Sequence, residues 1–451
     1  MVVQKHIIAL LACMSVTALC SAGSPEEAAK LGTEFTCWGA PKGASGGIPA
    51  WAGNPKAPAG FKPGSGVYPN PFPDDKPILK ITQANMAQYA DKLSEVQKEI
   101  LKRHADYRLD VYPTRRTYAE PAHLCDAARK NVVTAKLEDG GSALVNAFGA
   151  IPFPFPKTGH EVMWNHLTAW RGEAWEFRYD TWYTDSNGTP VLTATNIGQV
   201  NFPYYYKGKS SEWLKSDVEN YFYLATLTSL APARSVGEAT INKANLTPLR
   251  GVGNRSWSYQ PGQRRVRLTP NANYDFPIAS QGGAITYDDV QVFYGAPDRF
   301  NFKLIGKKEM YIPYNNSDYV YATNEKLLSK NFVNPDVVRW ELHRVWVVEA
   351  TLKPEFRHIY SKRVFYFDED NAGAGMSDQY DMSGKLYRGV IQPVMPMYDQ
   401  EYAFSTSYFG YDLSSNAYVV ATRPTNKGYV KNAAPNLELY QPQSLQTRSQ
   451  R

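Results

Sequence analysis

The residues able to do chemistry in this chain are few and scattered. Of seven histidines, His6 lies in the apolar N-terminus, and the others are His104, His123, His160, His166, His343 and His358. His160-Glu161-Val162-Met163-Trp164-Asn165-His166 comes nearest to a zinc-protease pattern, which needs two histidines four apart on one helical face. Here they stand six apart, about 240° round a helix. No Gly-x-Ser-x-Gly elbow, no phosphate-cradling Gly-rich loop ending in Lys-Ser/Thr and no dinucleotide fingerprint occurs. Nucleophile, base and orienter cannot be assembled from these residues, so the sequence predicts no enzyme, no cofactor and no metal site.

Charged runs give similarly ordinary readings. Asp368-Glu369-Asp370-Asn371 offers carboxylates for calcium without the spacing of a calcium loop, and at the end of a strand it reads as a solvated turn. Asp288-Asp289 reads the same way. Arg115-Arg116 and Arg264-Arg265 would suit anionic headgroups, but a surface face with one salt bridge is the default for each pair. Two of the four cysteines lie in the first 22 residues, leaving Cys37 and Cys125 as a possible disulfide in an oxidising compartment. Sequence spacing alone does not show whether their geometry permits it.

The chain has 451 residues, 43% hydrophobic and 20% charged, a composition that excludes wholesale disorder. Its net charge of +6 comes from 49 basic and 43 acidic residues without a basic run, which argues against nucleic acid as a partner. Residues 1–22 combine a basic start at Lys5, an apolar stretch and Cys20-Ser21-Ala22. They predict an export signal cleaved after Ala22. No later run reaches the roughly 18 apolar residues of a membrane-spanning helix.

Residues 23–79 are punctuated by proline and glycine and read as an extended arm, with Trp38, Trp51, Phe61 and Phe72 as its anchors. Helices are expected over 82–101, 121–136 and 159–170, so the 80–172 region is helical and precedes the sheet. From residue 173 to 430 the period changes to two. Strands are expected at 173–184, 189–198, 221–230, 237–246 and 256–268, the last bent at Pro261-Gly262. Further strands are expected at 302–311, 337–352, 362–368, 377–382, 385–390 and 417–423. Asp185-Ser186-Asn187-Gly188 marks a hairpin turn. Short connections make this an antiparallel meander in one domain over 80–430, and residues 431–451 form a polar tail expected to fray.

The strand over 338–352 is the most informative. One face carries Val338, Trp340, Leu342, Arg344, Trp346, Val348, Ala350 and Leu352. Its span of about 45 Å predicts curvature, because long twisted antiparallel strands coil towards a barrel. A curved apolar face must be buried against helices, a ligand or both. On that face the candidate cavity residues are Trp257, Tyr259, Trp340, Leu342, Trp346 and Val348.

Several segments together resemble one family. They are Gly47-Ile48-Pro49-Ala50-Trp51, Pro113-Thr114-Arg115-Arg116-Thr117, Gly149-Ala150-Ile151-Pro152-Phe153-Pro154, Gly295-Ala296-Pro297-Asp298-Arg299-Phe300 and Glu341-Leu342-His343-Arg344-Val345-Trp346. In order, and over nearly the whole mature chain, they resemble domain-of-unknown-function family 1329, exported proteins of Gram-negative bacteria often labelled outer-membrane lipoprotein-sorting proteins. The resemblance implies the fold of the LolA and LolB carriers: an antiparallel sheet curled into an open half-barrel, with helices closing an apolar cavity. It implies a periplasmic carrier or chaperone for a lipid, a lipoprotein acyl chain or another apolar molecule. It also implies partners in an outer-membrane protein and an inner-membrane exporter. The alternative is a non-enzymatic scaffold of an envelope export complex, its cavity plugged.

Overall fold

A computed structural model describes residues 23–269, 274–425 and 430–448. The expected export signal lies outside the described residues. Among the described residues, two antiparallel meanders are joined side by side in one open, curved sixteen-stranded sheet. The first meander comprises Ala174–Thr184, Pro190–Asn201, Tyr221–Ala231, Ala239–Asn245, Arg255–Gln260 and Arg265–Leu268. The second comprises Phe300–Pro313, Trp340–Leu352, Lys362–Asp368, Gly375–Tyr380, Leu386–Gln392, Tyr408–Asp412 and Ala417–Pro424. They meet where Ala417–Pro424 pairs with Ala174–Thr184. Arg265–Leu268 and Phe300–Pro313 remain at free edges, so the half-barrel does not close.

Local chemistry explains where the elements start and stop. In the first hairpin only Gly188 takes a positive φ, 83°, and the Asp185 carboxylate accepts the N–H groups of Asn187 and Thr189, both at 2.9 Å. The turn is thus an Asp-held loop with one left-handed glycine rather than an Asn-Gly pair with two positive angles. The expected bend at Pro261-Gly262 is a full reversal: Pro261–Gln263 form one 3-10 turn and Arg264 is left-handed. Arg265–Leu268 therefore folds back to become the edge strand.

The helix expected over 82–101 is two pieces. Met86–Lys92 is a 3-10 helix, the chain extends at Leu93, and Ser94 opens Glu95–Arg103 with a capping box to Gln97. Asp378, buried in its strand, accepts the N–H groups of Glu95 and Val96, both at 2.9 Å. That carboxylate binds the partly positive end of the helix, so a fresh N-terminus at Ser94 is favoured over a continuous helix. The apolar stripe still buries Val96, Ile100 and Leu101. Helices Ala122–Thr134 and Gly159–Leu167 form as expected. The helical region does not simply precede the sheet, because Leu79–Ile81 and Leu109–Val111 pair and extend it beside Trp340.

The arm lies on the fold. The Trp38 and Trp51 indoles donate to the carbonyls of Ala119 and Tyr118 at 3.1 and 3.0 Å. Phe61 packs edge-on against Tyr398, and Phe72 lies under the Arg115 and Arg339 guanidinium groups. A disulfide joins Cys37 to Cys125 on helix Ala122–Thr134, with Cα atoms 4.9 Å apart. Residues 430–448, overlapping the expected tail, carry short elements. Val430–Asn432 pairs with the start of Ala174–Thr184, and helix Ser444–Arg448 packs on the last three strands of the first meander with Leu445 fully buried.

Candidate functional site

Successive strand residues point to opposite faces, and the second meander shows what covers each. Asp378 faces helix Glu95–Arg103, whereas its neighbour Gln379 donates to Asp289 on the other side. Gly389 belongs to the helix side: a Cβ there would come within 2.5–2.7 Å of Val96. The opposite, inner face is crossed by residues 276–294 and by helix Gly159–Leu167.

Where this crossing segment meets the second meander, it is sealed by buried ion pairs. Arg363 holds Asp288 at 2.9 Å and Asp289 at 2.8 Å, His358 meets Asp288 at 2.9 Å, and Tyr360 donates to Asp289 at 2.6 Å. Burial works against the Asp288 charge, but Arg363 and His358 outweigh it and hold that carboxyl well below the usual range. Phe293 packs on Phe302 and Phe365 beside them. Asp288-Asp289 is thus a buried anchor, not the solvated turn its sequence suggests.

Over the first meander the same segment leaves a cavity of about 410 Å³. Its floor is Phe177, Tyr179, Val200, Tyr223, Ala225 and Leu227. Gly198 shapes that floor, since a Cβ there would lie 2.7 Å from the Phe177 ring and 3.2 Å from Leu227. Thr240, Asn242, Ser256, Ser258 and Thr269 line the side towards the free edge. The roof is Ile278, Gln281, Tyr287, Val290, Gln291 and Tyr294, and Thr406, Tyr408 and Thr422 close the far side. Gln281 Nε2 donates to the Tyr408 hydroxyl at 2.7 Å, tying roof to wall. Glu238, Ala279 and Ser280 are exposed and mark the rim.

None of the six residues singled out from sequence borders this cavity. Trp257 and Tyr259 alternate with Ser256 and Ser258, which do border it, so the aromatic pair lies on the outer face that the C-terminal helix covers. Val348 and Trp346 pair with Phe365 and Phe367 on the filled half. Val348 is fully buried there, and Trp346 carries Lys307 over its ring. Trp340 is buried at the junction with Val111, and Leu342 approaches Gly47 of the arm. The available signal was the polar alternate of the same strand, Ser256 and Ser258.

A second polar cluster lies where the arm meets strand Trp340–Leu352. His343 faces Glu341 at 3.2 Å and Asp368 at 3.3 Å and stacks on Tyr314. Burial opposes charge on its imidazole, but the Asp368 and Glu341 carboxylates outweigh that and push its pKa up to about 10. Asp370 receives both Nε and Nη2 of Arg116, at 2.7 and 2.8 Å. Arg344 and Lys307 meet Glu369 at 2.5 and 2.8 Å. Asp368, Glu369, Asp370 and Asn371 are therefore all buried, and Arg116 is a core residue rather than a surface one. Ligand atoms of His343, Asp368 and Asp370 lie within 4.8 Å of one another, near enough to hold a cation. Guanidinium and imidazolium groups already occupy that role, as expected for buried carboxylates.

Among the described residues no helix is long and apolar enough to cross a membrane. A family described as a protein of unknown function, DUF1329, matches residues 80–446. The chain is 37% identical over 422 residues to the uncharacterized protein PA3922 of Pseudomonas aeruginosa, covering 92% of this chain and 91% of that one. A DUF1329 family protein from Desulfovibrio piger aligns over 64% of this chain and 97% of its own, with 10% identity and a TM-score of 0.42. The LolA superfamily protein NE2245 from Nitrosomonas europaea aligns over 63% and 98%, with 12% identity and a TM-score of 0.35. By the match over most of its length, the chain belongs to the DUF1329 family.

Proposed function

We propose that this protein is a carrier, not an enzyme: it holds a lipid, a lipoprotein acyl chain or another apolar molecule in the inner-face cavity and moves it through the periplasm towards the outer membrane. The observation that carries this reading is the cavity of about 410 Å³ between the first meander and residues 276–294, with an aromatic and aliphatic floor. Its volume falls within the roughly 300–1,000 Å³ of small-molecule sites. Each CH₂ taken from water onto such a floor contributes about 0.8 kcal/mol, so a short chain binds usefully and can still be released. Delivery to an outer-membrane partner, and loading beside an inner-membrane exporter, would supply the acceptor and the source.

The test is native mass spectrometry of the protein purified from the periplasm, followed by denaturing extraction, with Nile red uptake measured on the stripped protein. A stoichiometric apolar molecule is expected. Ala225→Trp, which places an indole on the cavity floor, is expected to abolish both its retention and dye uptake while the far-UV circular dichroism is unchanged. A clean apo mass with no dye uptake would overturn the carrier reading in favour of an envelope scaffold.

A further inference from the structure

The cavity is not uniformly apolar, and its polarity is graded across the sheet. Strands Ala174–Thr184, Pro190–Asn201 and Tyr221–Ala231 contribute the aromatic and aliphatic floor. The next strands towards the free edge, Ala239–Asn245 and Arg255–Gln260, contribute Thr240, Asn242, Ser256 and Ser258, joined by Thr269 just past the edge strand. All five are hydroxyl or amide side chains. Because alternate residues share a face, the apolar residues of these strands, Ile241, Trp257 and Tyr259, go to the outer side.

The polar groups are organised. Ser256 donates to Asn242 Oδ1 at 2.8 Å, and Thr269 donates to Ser258 Oγ at 3.1 Å. Polar groups facing a space filled only by hydrocarbon are costly, and a ligand offering complementary groups removes that cost. Among the described residues no lysine or arginine lines the cavity, and the one charged lining residue is Glu238 at the rim. An anionic head would find no countercharge there and would meet a carboxylate on entry. A cationic head would lose its water for a single exposed carboxylate.

Building on the carrier reading, we propose that the cavity selects an amphiphile with an uncharged, hydroxyl- or amide-bearing head. The apolar part lies on Phe177, Tyr223 and Leu227, and the head lies against Asn242, Ser256 and Ser258. Selection against charged heads comes from the absence of any matched ion. Selection for the neutral head comes from hydrogen bonds that an alkane alone cannot make.

Displacement of Nile red from the full mature chain by monolauroylglycerol, laurate and dodecyltrimethylammonium tests this, since the three share a chain length and differ in the head. At about pH 8, where laurate is ionised, the glyceride is expected to displace dye at least about tenfold more tightly than either ion. Asn242→Leu and Ser258→Ala are each expected to narrow that gap to about threefold or less while laurate affinity stays unchanged, a readout that loss of folding would not give. Equal displacement by all three, or a gap untouched by both substitutions, would overturn the head-group selectivity and leave the carrier reading standing. Failure of the dye and all three probes to bind would overturn both.

Discussion

Both meanders present an inner face of alternating residues to the same crossing segment, yet one contact is sealed and the other is hollow. Against the second meander the segment brings Asp288, Asp289 and Phe293, which meet Arg363, Tyr360 and Phe365. Against the first it brings Ile278, Gln281, Tyr287 and Val290, which stand off the Phe177–Leu227 floor. The sheet supplies curvature to both halves. The covering segment decides which half becomes a core and which becomes a container. Ionic anchors at one end can hold a roof over empty space at the other, because they fix its position without filling the cavity.

The largest expected effect comes from breaking that anchor. Arg363→Met leaves Asp288 and Asp289 buried without their shared cation, a loss of about 3–5 kcal/mol. Urea unfolding should show it, and hydrogen exchange should rise across residues 276–294. Adding Asp288→Asn and Asp289→Asn to the same chain should recover much of the loss, because the uncompensated charge is then gone. The matching change in the hollow half, Glu238→Gln at the exposed rim, should stay within about 0.5 kcal/mol of the parent. Equal effects at the two sites would remove the distinction between a sealed half and a hollow one.

How much of this was legible in the sequence follows the range of the forces involved. Period-two runs predicted nearly all the long strands, because alternation is a local consequence of burying one face. The short strands Met395–Met397, Tyr402–Phe404 and Tyr408–Asp412 were missed, being too brief and too evenly buried to alternate visibly. The sequence presents the buried carboxylates as solvated turns because their cations are distant: Arg116 and Asp370 are 254 residues apart, and Asp288 and Arg363 are 75 apart. That the residues singled out from sequence do not border this cavity has a related reason. Which face of strand Arg255–Gln260 is inner depends on the distant C-terminal helix that packs on the strand, and the Ser256 and Ser258 alternation marks a polar face without saying what covers the other.

Packing density offers the next test. In the sealed half, Gly389→Ala drives a methyl to within 2.5–2.7 Å of three Val96 side-chain atoms. Val96 is β-branched and held on a capped helix, so it cannot swing aside. The substitution should cost about 1–3 kcal/mol as an overpacked core does. Ala225→Leu adds more volume, but into the hollow half, and should change stability by less than about 1 kcal/mol while reducing Nile red uptake. Thermal and urea unfolding of the two variants side by side would check this. If Ala225→Leu proved the more damaging, the hollow would be a region that closes in solution.

The smallest effect per step is ionic and separates the halves by pH. His343 carries a pKa raised to about 10 by Asp368 and Glu341 against the opposing effect of burial, whereas in the unfolded chain it titrates near 6.5. A raised value means the folded state holds the proton more tightly. Its contribution is therefore complete below about pH 6.5 and drains away as pH rises towards 10. Asp378, raised to about 6 by burial, has its window on the acid side of neutrality, so it does not blur an alkaline measurement. Between about pH 7.5 and 8.5 the unfolding free energy should fall by on the order of 1 kcal/mol at most, and His343→Gln should flatten that slope. Nile red affinity should stay level over the same interval, because among the described residues the hollow half has no histidine in its lining and a single carboxylate at its rim. A slope shared by stability and uptake would mean that the sealed cluster controls the cavity after all, and the two halves would have to be treated as one switch.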